Sequence, residues 1–333
     1  MPFKNPDERK HASIFHPHML ESMDRVEKNE TRFAYYTDAD TALKIINGQE
    51  MWLRQTALMN DHSEVRHGYH CLLAAYRDQH GKALTGILNS IFPDISREIE
   101  KRFDETAHNL EHGTFVACVS EHGGTGSARE DAHEYAFGRL SMWRAYGRGC
   151  GVALILSPKP LTSPTTALGV FTSPVGYMGV HDIGDQLRII SERIIQERDF
   201  VLARGRDPTI QSVLVALWAA VVCSKHPGFK DEREWRAVAL PGLMAPKGLR
   251  SFTQTLNGIP QQVWAVPLKD VPNEGLLGLK VPDFIEKVII GPTEAPSVIH
   301  GALWHAMTAN GFTDIPKRLS MSNIPLRVVA GRS

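Results

Sequence analysis

Apolar positions recur at two spacings along this chain, every second residue over short runs and every third or fourth over longer ones. The mixture predicts strands interleaved with helices. Residues 33–36 suit a strand, Asp38 is placed to cap a helix over 39–47, Gly48 to close it, and 51–53 resumes a strand. A polar loop, Asn60-Asp61-His62-Ser63-Glu64, caps a helix running to about residue 79, and a second helical region over 87–109 is interrupted at Pro93. Residues 114–120 read as an apolar strand, and 121–129 as a Gly/Ser/Thr-rich loop long enough to move over a site. A short helix over 137–146 then feeds a strand at 152–156 through Gly147, Gly149 and Gly151.

Beyond a turn-rich stretch at 158–164, the pattern gives strand-like residues around Val170 and Val175 and helices over 182–203 and 209–224. Strands follow at 234–240, 262–266, 278–281 and 287–290, and a helix over 297–310 closes the pattern. Helices thus gather into insertions at about 64–110 and 182–224 while strands spread through the chain, which predicts an α+β fold with a mostly antiparallel sheet. Residues 1–31, with His11, His16 and His18 among charges, predict a flexible N-terminal arm, and 32–333 a single α+β domain.

At 333 residues the chain has ample material for a core, and its 37 basic and 37 acidic residues balance. That balance removes bulk attraction to nucleic acid or membrane as an argument. Cys71, Cys118, Cys150 and Cys223 are widely spaced inside mostly apolar runs, so they read as buried thiols in a reducing cytoplasm. The polar start has no apolar leader segment, and the longest apolar run, 213–223, is short of the roughly 20 residues that a membrane span needs. No Gly-x-Gly-x-x-Gly, Walker or Gly-x-Ser-x-Gly pattern occurs, which argues against dinucleotide-binding, P-loop and hydrolase readings.

The densest chemistry lies at Lys230-Asp231-Glu232-Arg233-Glu234-Trp235-Arg236. In a strand, Glu232, Glu234 and Arg236 would share one face and Arg233 and Trp235 the other, so two carboxylates would overhang one cleft. The same segment also reads as a solvated cluster closing a turn. Glu64, His67 and His70 share a helix face, but the spacing departs from known metal patterns, and no metal is expected. In Ser141-Met142-Trp143-Arg144-Ala145-Tyr146 the aromatic pair reads as core packing or as a floor for a planar ring. Of Tyr35 and Tyr36, on opposite strand faces, one is expected in the core and the other free to bond or stack.

Taken in order, these blocks resemble a bacterial family, domain of unknown function family 2971. The resemblance rests on Ala34-Tyr35-Tyr36-Thr37, Met51-Trp52-Leu53, Asn60 to Glu64, Val119-Ser120, the Met-Trp-x-x-Tyr helix at 142–146, the Glu-x-Glu-Trp-Arg strand at 232–236 and Val-Ile-Ile-Gly-Pro at 288–292. His62 stands where the family usually has proline, and Gly147 to Gly149 shortens the stretch after Tyr146. The family's layout is similar to ADP-ribosyltransferase-like folds, which hold NAD between two small sheets.

That similarity implies a split antiparallel sheet and an NAD-consuming enzyme, an ADP-ribosyltransferase or NAD glycohydrolase, with a protein or nucleic-acid acceptor. The implied setting is a cytoplasmic toxin or phage-defence effector with an antitoxin as partner. Glu234 would stabilise the oxocarbenium-like transition state and Glu232 would deprotonate or orient the acceptor. Tyr36-Thr37 and Ser141 to Tyr146 would line the NAD site, Trp143 or Tyr146 would stack on nicotinamide, and Arg54, Arg144 or Arg236 would hold the pyrophosphate. Arg236 competes as a structural partner of Glu232 or Glu234. Two further readings stay open: a metal-dependent nuclease or phosphodiesterase using Asp61, Glu64, His67 and the late carboxylates, and a non-catalytic nucleotide-binding module.

Overall fold

The computed structural model describes residues 5–58, 64–123, 129–147, 149–256 and 258–325. Two helices come first, α1 (Pro6–Phe15) and α2 (Pro17–Lys28), each opened by a proline whose missing N–H costs nothing in a first turn. Next come β1 (Arg32–Asp38), α3 (Ala39–Gly48) and β2 (Glu50–Gln55), then α4 (Glu64–Arg77), α5 (Gln79–Ile91) and α6 (Ile95–His112). β3 (Phe115–His122) leads into α7 (Arg129–Phe137), α8 (Leu140–Tyr146), β4 (Cys150–Leu156), the single turn α9 (Pro158–Leu161), β5 (Val170–Pro174) and β6 (Gly176–Tyr177). A second helical stretch holds α10 (Val180–Gln196), α11 (Arg198–Arg204) and α12 (Arg206–Val222). After β7 (Ser224–Lys225) and a 3-10 turn (Pro227–Glu232) come β8 (Glu234–Ala239), β9 (Arg250–Leu256), β10 (Ile259–Pro267), α13 (Val281–Phe284), β11 (Ile285–Thr293), α14 (Pro296–Ala309), α15 (Ile315–Arg318) and β12 (Leu319–Met321).

The fold is α+β, and among the described residues ten strands form one hydrogen-bonded sheet, with β6–β7 as a separate pair. Every pair in the large sheet is antiparallel except β11 with β12. β3 is its organising strand. One edge of β3 pairs with β8 from Phe115 to Ser120, while the other pairs with β1 at Ser120–His122 and with β2 at Phe115 and Val116. β1 therefore leaves toward β4, β2 leaves toward β10, and the sheet forks beside Ala117 to Val119.

Alternation along the strands decides what each face meets. Val116 and Val238 face a helical block of α4–α6 and α10–α12, whereas Val119 and Trp235 face a core shared with α2, α3, α13 and α14. Tyr36, Ala153 and Ile155, on the same face as Val116, pack instead under Met142 and Trp143 of α8. The helical block and α8 thus cover the same face of the sheet.

Several expectations need correction. Residues 1–31 are not a flexible arm: α1 and α2 bury Ile14, Phe15, Met23 and Val26, an apolar spacing hidden among charges. Arg25 clamps Glu121 with two bonds of 2.6 and 2.7 Å, and Trp235 Nε1 donates to the same carboxylate at 2.8 Å. Arg25→Met should cost roughly 1–3 kcal/mol, because Glu121 is buried and keeps one donor of three. Urea unfolding checks it; an unchanged midpoint would mean that solvent replaces the guanidinium.

The residue closing α3 in the left-handed region is Gln49, φ 51°, and not Gly48. The helix expected over 137–146 is broken at Gly138, φ 72°, where a Cβ would lie 2.7 Å from the Trp143 ring. Residues 278–281 form no strand; Gly278 has φ 78°, and α13, with Pro282 in its first turn, begins at Val281 instead. β9 went unforeseen because its half-buried face carries Phe252, Gln254 and Leu256, and the polar Gln254 between the two apolar residues breaks the hydrophobic alternation. The cap expected at Asn60 to Ser63 and most of the expected mobile loop, 124–128, lie outside the described residues.

Candidate active site at the mouth of β8

Glu234 and Arg236 lie opposite Ser120 and Cys118 of β3, so all four share the face under the helical block. Trp235 points the other way and packs edge-on against Phe33, with ring centroids 5.2 Å apart. Glu232 sits in the 3-10 turn, not in the strand, and Arg233 between them takes φ 45°, a kink a non-glycine residue seldom adopts. The kink turns Glu232 back onto the Glu234 side, where both carboxylates meet one ammonium.

That ammonium is Lys225 Nζ, 2.7 Å from Glu64, 2.7 Å from Glu232 and 3.2 Å from Glu234. Arg236 donates Nε to Glu234 at 2.8 Å, Nη1 to the Val222 carbonyl at 2.6 Å, and Nη2 to Glu64. Three carboxylates and two cations therefore interlock α4, β7, the turn and β8. Lys225 arrives there because it follows the end of the apolar α12 and pairs, in β7, with Tyr177 of β6.

The environments of the two late carboxylates push them apart. Burial opposes ionisation of Glu234, but Arg236 and then Lys225 overcome it and hold its pKa down to about 2. For Glu232 burial prevails over the Lys225 contact and the pKa is raised, helped by the charges of Glu234 and Glu64. Burial also works against the Lys225 ammonium, yet Glu234 and Glu64 keep it firmly protonated. Glu234 is thus a fixed anion, with its side chain 6 % exposed, and Glu232, at 22 %, is the more basic and more accessible of the pair. Tyr146 reaches toward Glu232 at 3.5 Å, and the Tyr177 hydroxyl accepts the Glu234 N–H at 2.7 Å. Burial and the neighbouring carboxylates raise both tyrosine pKa values, so both remain neutral donors.

Arg139, just ahead of α8, fastens the turn. Its guanidinium donates to Ser120 Oγ at 2.9 Å, to the Asp231 carbonyl at 2.8 Å and to Glu134 at 2.5 Å, and its backbone N–H donates to the Tyr36 hydroxyl at 2.8 Å. Ser120 in turn donates to the Glu232 carbonyl. Arg139→Met should ease local opening of residues 230–234 by about 1–3 kcal/mol and leave the rest of the sheet protected. Site-resolved hydrogen exchange reads this, and uniform deprotection would show a global defect instead.

Of the residues singled out in the sequence, Glu232, Glu234, Arg236 and Tyr146 come together, and Tyr36 joins through Arg139 and Ser120. Thr37 faces the opposite side of β1 from Tyr36. Ser141 is on the exposed side of α8. Trp143 is buried, set edge-on to Tyr36 at 4.9 Å and closed in by Gly138, Gly151 and Gly291, so it packs the core and offers no open floor. Arg236, 1 % exposed with its donors engaged by protein groups, is not free to take a pyrophosphate. Arg54 stands on the β2 branch, 3.4 Å from Gln261 and from the Leu58 carbonyl.

The residues of the metal reading partly converge, since Glu64 joins the late carboxylates, but an ammonium occupies their meeting point. His67 Nε2 instead contacts the Met178 carbonyl at 3.0 Å, and Asp61 lies outside the described residues. Among the described residues no three His, Cys, Asp or Glu side chains are arranged to hold a metal ion, and no helix is long and apolar enough to cross a membrane. Sequence reasoning missed Lys225 and Arg139; a lone Lys closing the apolar run of α12 was the available signal for the first.

A family model described as protein of unknown function (DUF2971) matches residues 142–237. The match takes in Trp143, Tyr146, Lys225 and the Glu232 to Arg236 block, and leaves out β1, Arg54, Glu64 and Arg139. No curated protein and no solved structure matches the chain.

Proposed function

We propose that the mouth of β8 cleaves the nicotinamide–ribose bond of NAD and passes ADP-ribose to water or to a macromolecular acceptor. The observation that carries this reading is the pair of carboxylates with opposed environments, Glu234 held ionised and Glu232 made more basic, on the face where the sheet forks. Cleavage sends the electron pair of the C1′–N bond to the pyridinium nitrogen and leaves positive charge on the ribose. A fixed anion such as Glu234 stabilises that charge, with little reorganisation because Arg236 and Lys225 already orient it. The acceptor oxygen or nitrogen then bonds C1′ and gives its proton to Glu232.

The fork is the counterpart of the split sheet of ADP-ribosyltransferase-like folds, and this likeness is one of layout. Tyr146 and Tyr177 supply neutral donors and ring faces for nicotinamide. Arg54 pairs with Val116, four residues along β3 from the partner of Glu234, which is roughly 13 Å at strand spacing. Arg54 is therefore the pyrophosphate partner in this reading, in place of the enclosed Arg236. A toxin or defence role, with an antitoxin to hold it in check, would follow from uncontrolled NAD loss in a bacterial cytoplasm.

The test is release of free nicotinamide from NAD by the wild type, with and without cell extract, beside Glu234→Gln. Release from the wild type and a loss of roughly 10²–10³-fold in the variant is expected, the scale of one lost electrostatic stabiliser. Absence of release under either condition, or full activity in a folded Glu234→Gln, would overturn the reading. Chelator should have no effect on the rate.

A further inference from the structure

β9 ends the large sheet, with β10 on one side and, among the described residues, no strand on the other. Edge strands of native proteins are normally blunted by shortness, lysine, proline or a bulge. β9 has none of these: it runs for seven residues, Arg-Ser-Phe-Thr-Gln-Thr-Leu, and its register with β10 is unbroken from Arg250 to Leu256. At the opposite end of the strand order, β12 has only three residues.

Which backbone groups β9 leaves open follows from β10. Just past that strand the Leu268 N–H donates to the Gln49 carbonyl, so even-numbered residues of β10 aim their backbone groups at β2 and odd-numbered ones at β9. Pro260 agrees, since it has no N–H to give and pairs with Thr255. Arg250, Phe252, Gln254 and Leu256, opposite odd-numbered residues, are therefore bonded to β10. Ser251, Thr253 and Thr255 turn both N–H and C=O outward, and all three are exposed.

That outward triplet is complementary to itself. When two β9 strands lie antiparallel about a two-fold axis through Thr253, Thr253 meets its own copy and Ser251 meets Thr255, and each such pair exchanges two backbone bonds. Hydroxyl side chains then face one another on one side of the joined sheet, a pairing that favours strand association. On the other side Phe252 lies diagonal to the partner's Phe252, within reach of an aromatic ring. Arg250, the only charged residue of the strand, falls opposite the partner's Leu256, roughly 20 Å along the strand from its own copy.

We propose that β9 is a dimerisation edge, which joins two copies of this chain into one continuous antiparallel sheet about a two-fold axis at Thr253. A second copy is favoured over a foreign strand because the edge carries its own complement in this register and brings no like charges together. The inference is independent of the reaction proposed above, because subunit mass reads it whether or not NAD is cleaved.

Sedimentation equilibrium of the full chain should show a reversible, concentration-dependent dimer. Thr253→Pro removes the N–H at the axis and spares the bonds to β10, which that N–H does not face, so it should give a folded monomer. Thr253→Lys and Thr253→Glu each set like charges directly opposite one another and should also be monomeric. An equimolar mixture of the two should associate again, roughly tenfold more tightly than either alone, because the axis then pairs an ammonium with a carboxylate. Circular dichroism of each variant verifies the fold. A wild type that stays monomeric up to about 1 mM, a dimer that resists Thr253→Lys, or a lysine and glutamate pair that fails to associate would overturn the proposal.

Discussion

Arg236→Met should destabilise the protein by about 3–5 kcal/mol, the largest stability loss expected from a single substitution here. Methionine fills most of the volume of the arginine stem, so packing is nearly conserved and charge dominates the effect. The guanidinium is 1 % exposed and holds Glu64, Glu234 and the Val222 carbonyl together. Without it, three carboxylates share one ammonium, and Glu234 among them is largely shut off from water. Arg236→Lys should recover part of the loss, because an ammonium restores charge but not the three-way geometry.

Acid titration separates this cause from lost packing. A carboxyl whose folded pKa is depressed contributes stability above its unfolded value, and that contribution disappears as pH falls through the folded value. For Glu234 the window runs from an ordinary 4.5 down to about 2. In Arg236→Met the fall of stability across that window should shrink, because the depression is largely Arg236's doing. Urea unfolding at several pH values checks both statements; a loss near zero would mean that the cluster is hydrated, and an unchanged acid slope would mean that Lys225 alone holds Glu234.

How far this site was visible in the sequence depends on which residues one takes. Glu234, Trp235 and Arg236 obey strand alternation, so their faces follow from position alone. Strand alternation assigns Glu232 to the same face for the wrong reason, since it reaches Lys225 through the kink at Arg233 and not through the pleat. Lys225 and Glu64 are separated by more than 150 residues, and only packing of α12 on α4 sets them together. No local rule carries that information. The N-terminal helices show the reverse failure: Phe15, Met19, Met23 and Val26 pack into the core, but they stand among so many charged residues that the segment reads as solvated. Trp143 illustrates a third kind, because an aromatic on a short helix looks the same in sequence whether it floors a site or fills a core, and the glycines that close around it come from distant parts of the chain.

The sharpest kinetic consequence falls on Glu232. If it accepts the proton of the incoming acceptor, Glu232→Gln should lower turnover by roughly 10²–10⁴-fold, the usual contribution of a general base, with little change in KM for NAD. The base must be ionised to act, so wild-type activity should fall as pH drops through a limb lying above the ordinary carboxylate value of 4.5, because burial raises Glu232. The variant, having no such group, should lose that limb altogether. Lys225 pulls against burial, holding the Glu232 carboxylate through a 2.7 Å contact, and Lys225→Met should therefore move the limb to still higher pH while leaving Glu232 in place to act. Lys225 is a positioning and tuning residue in this account, and the direction of the shift is what distinguishes it from a purely structural one. A fold defect would lower activity at every pH together, whereas loss of tuning displaces the profile; a limb that stays put in Lys225→Met would assign the titration to another group.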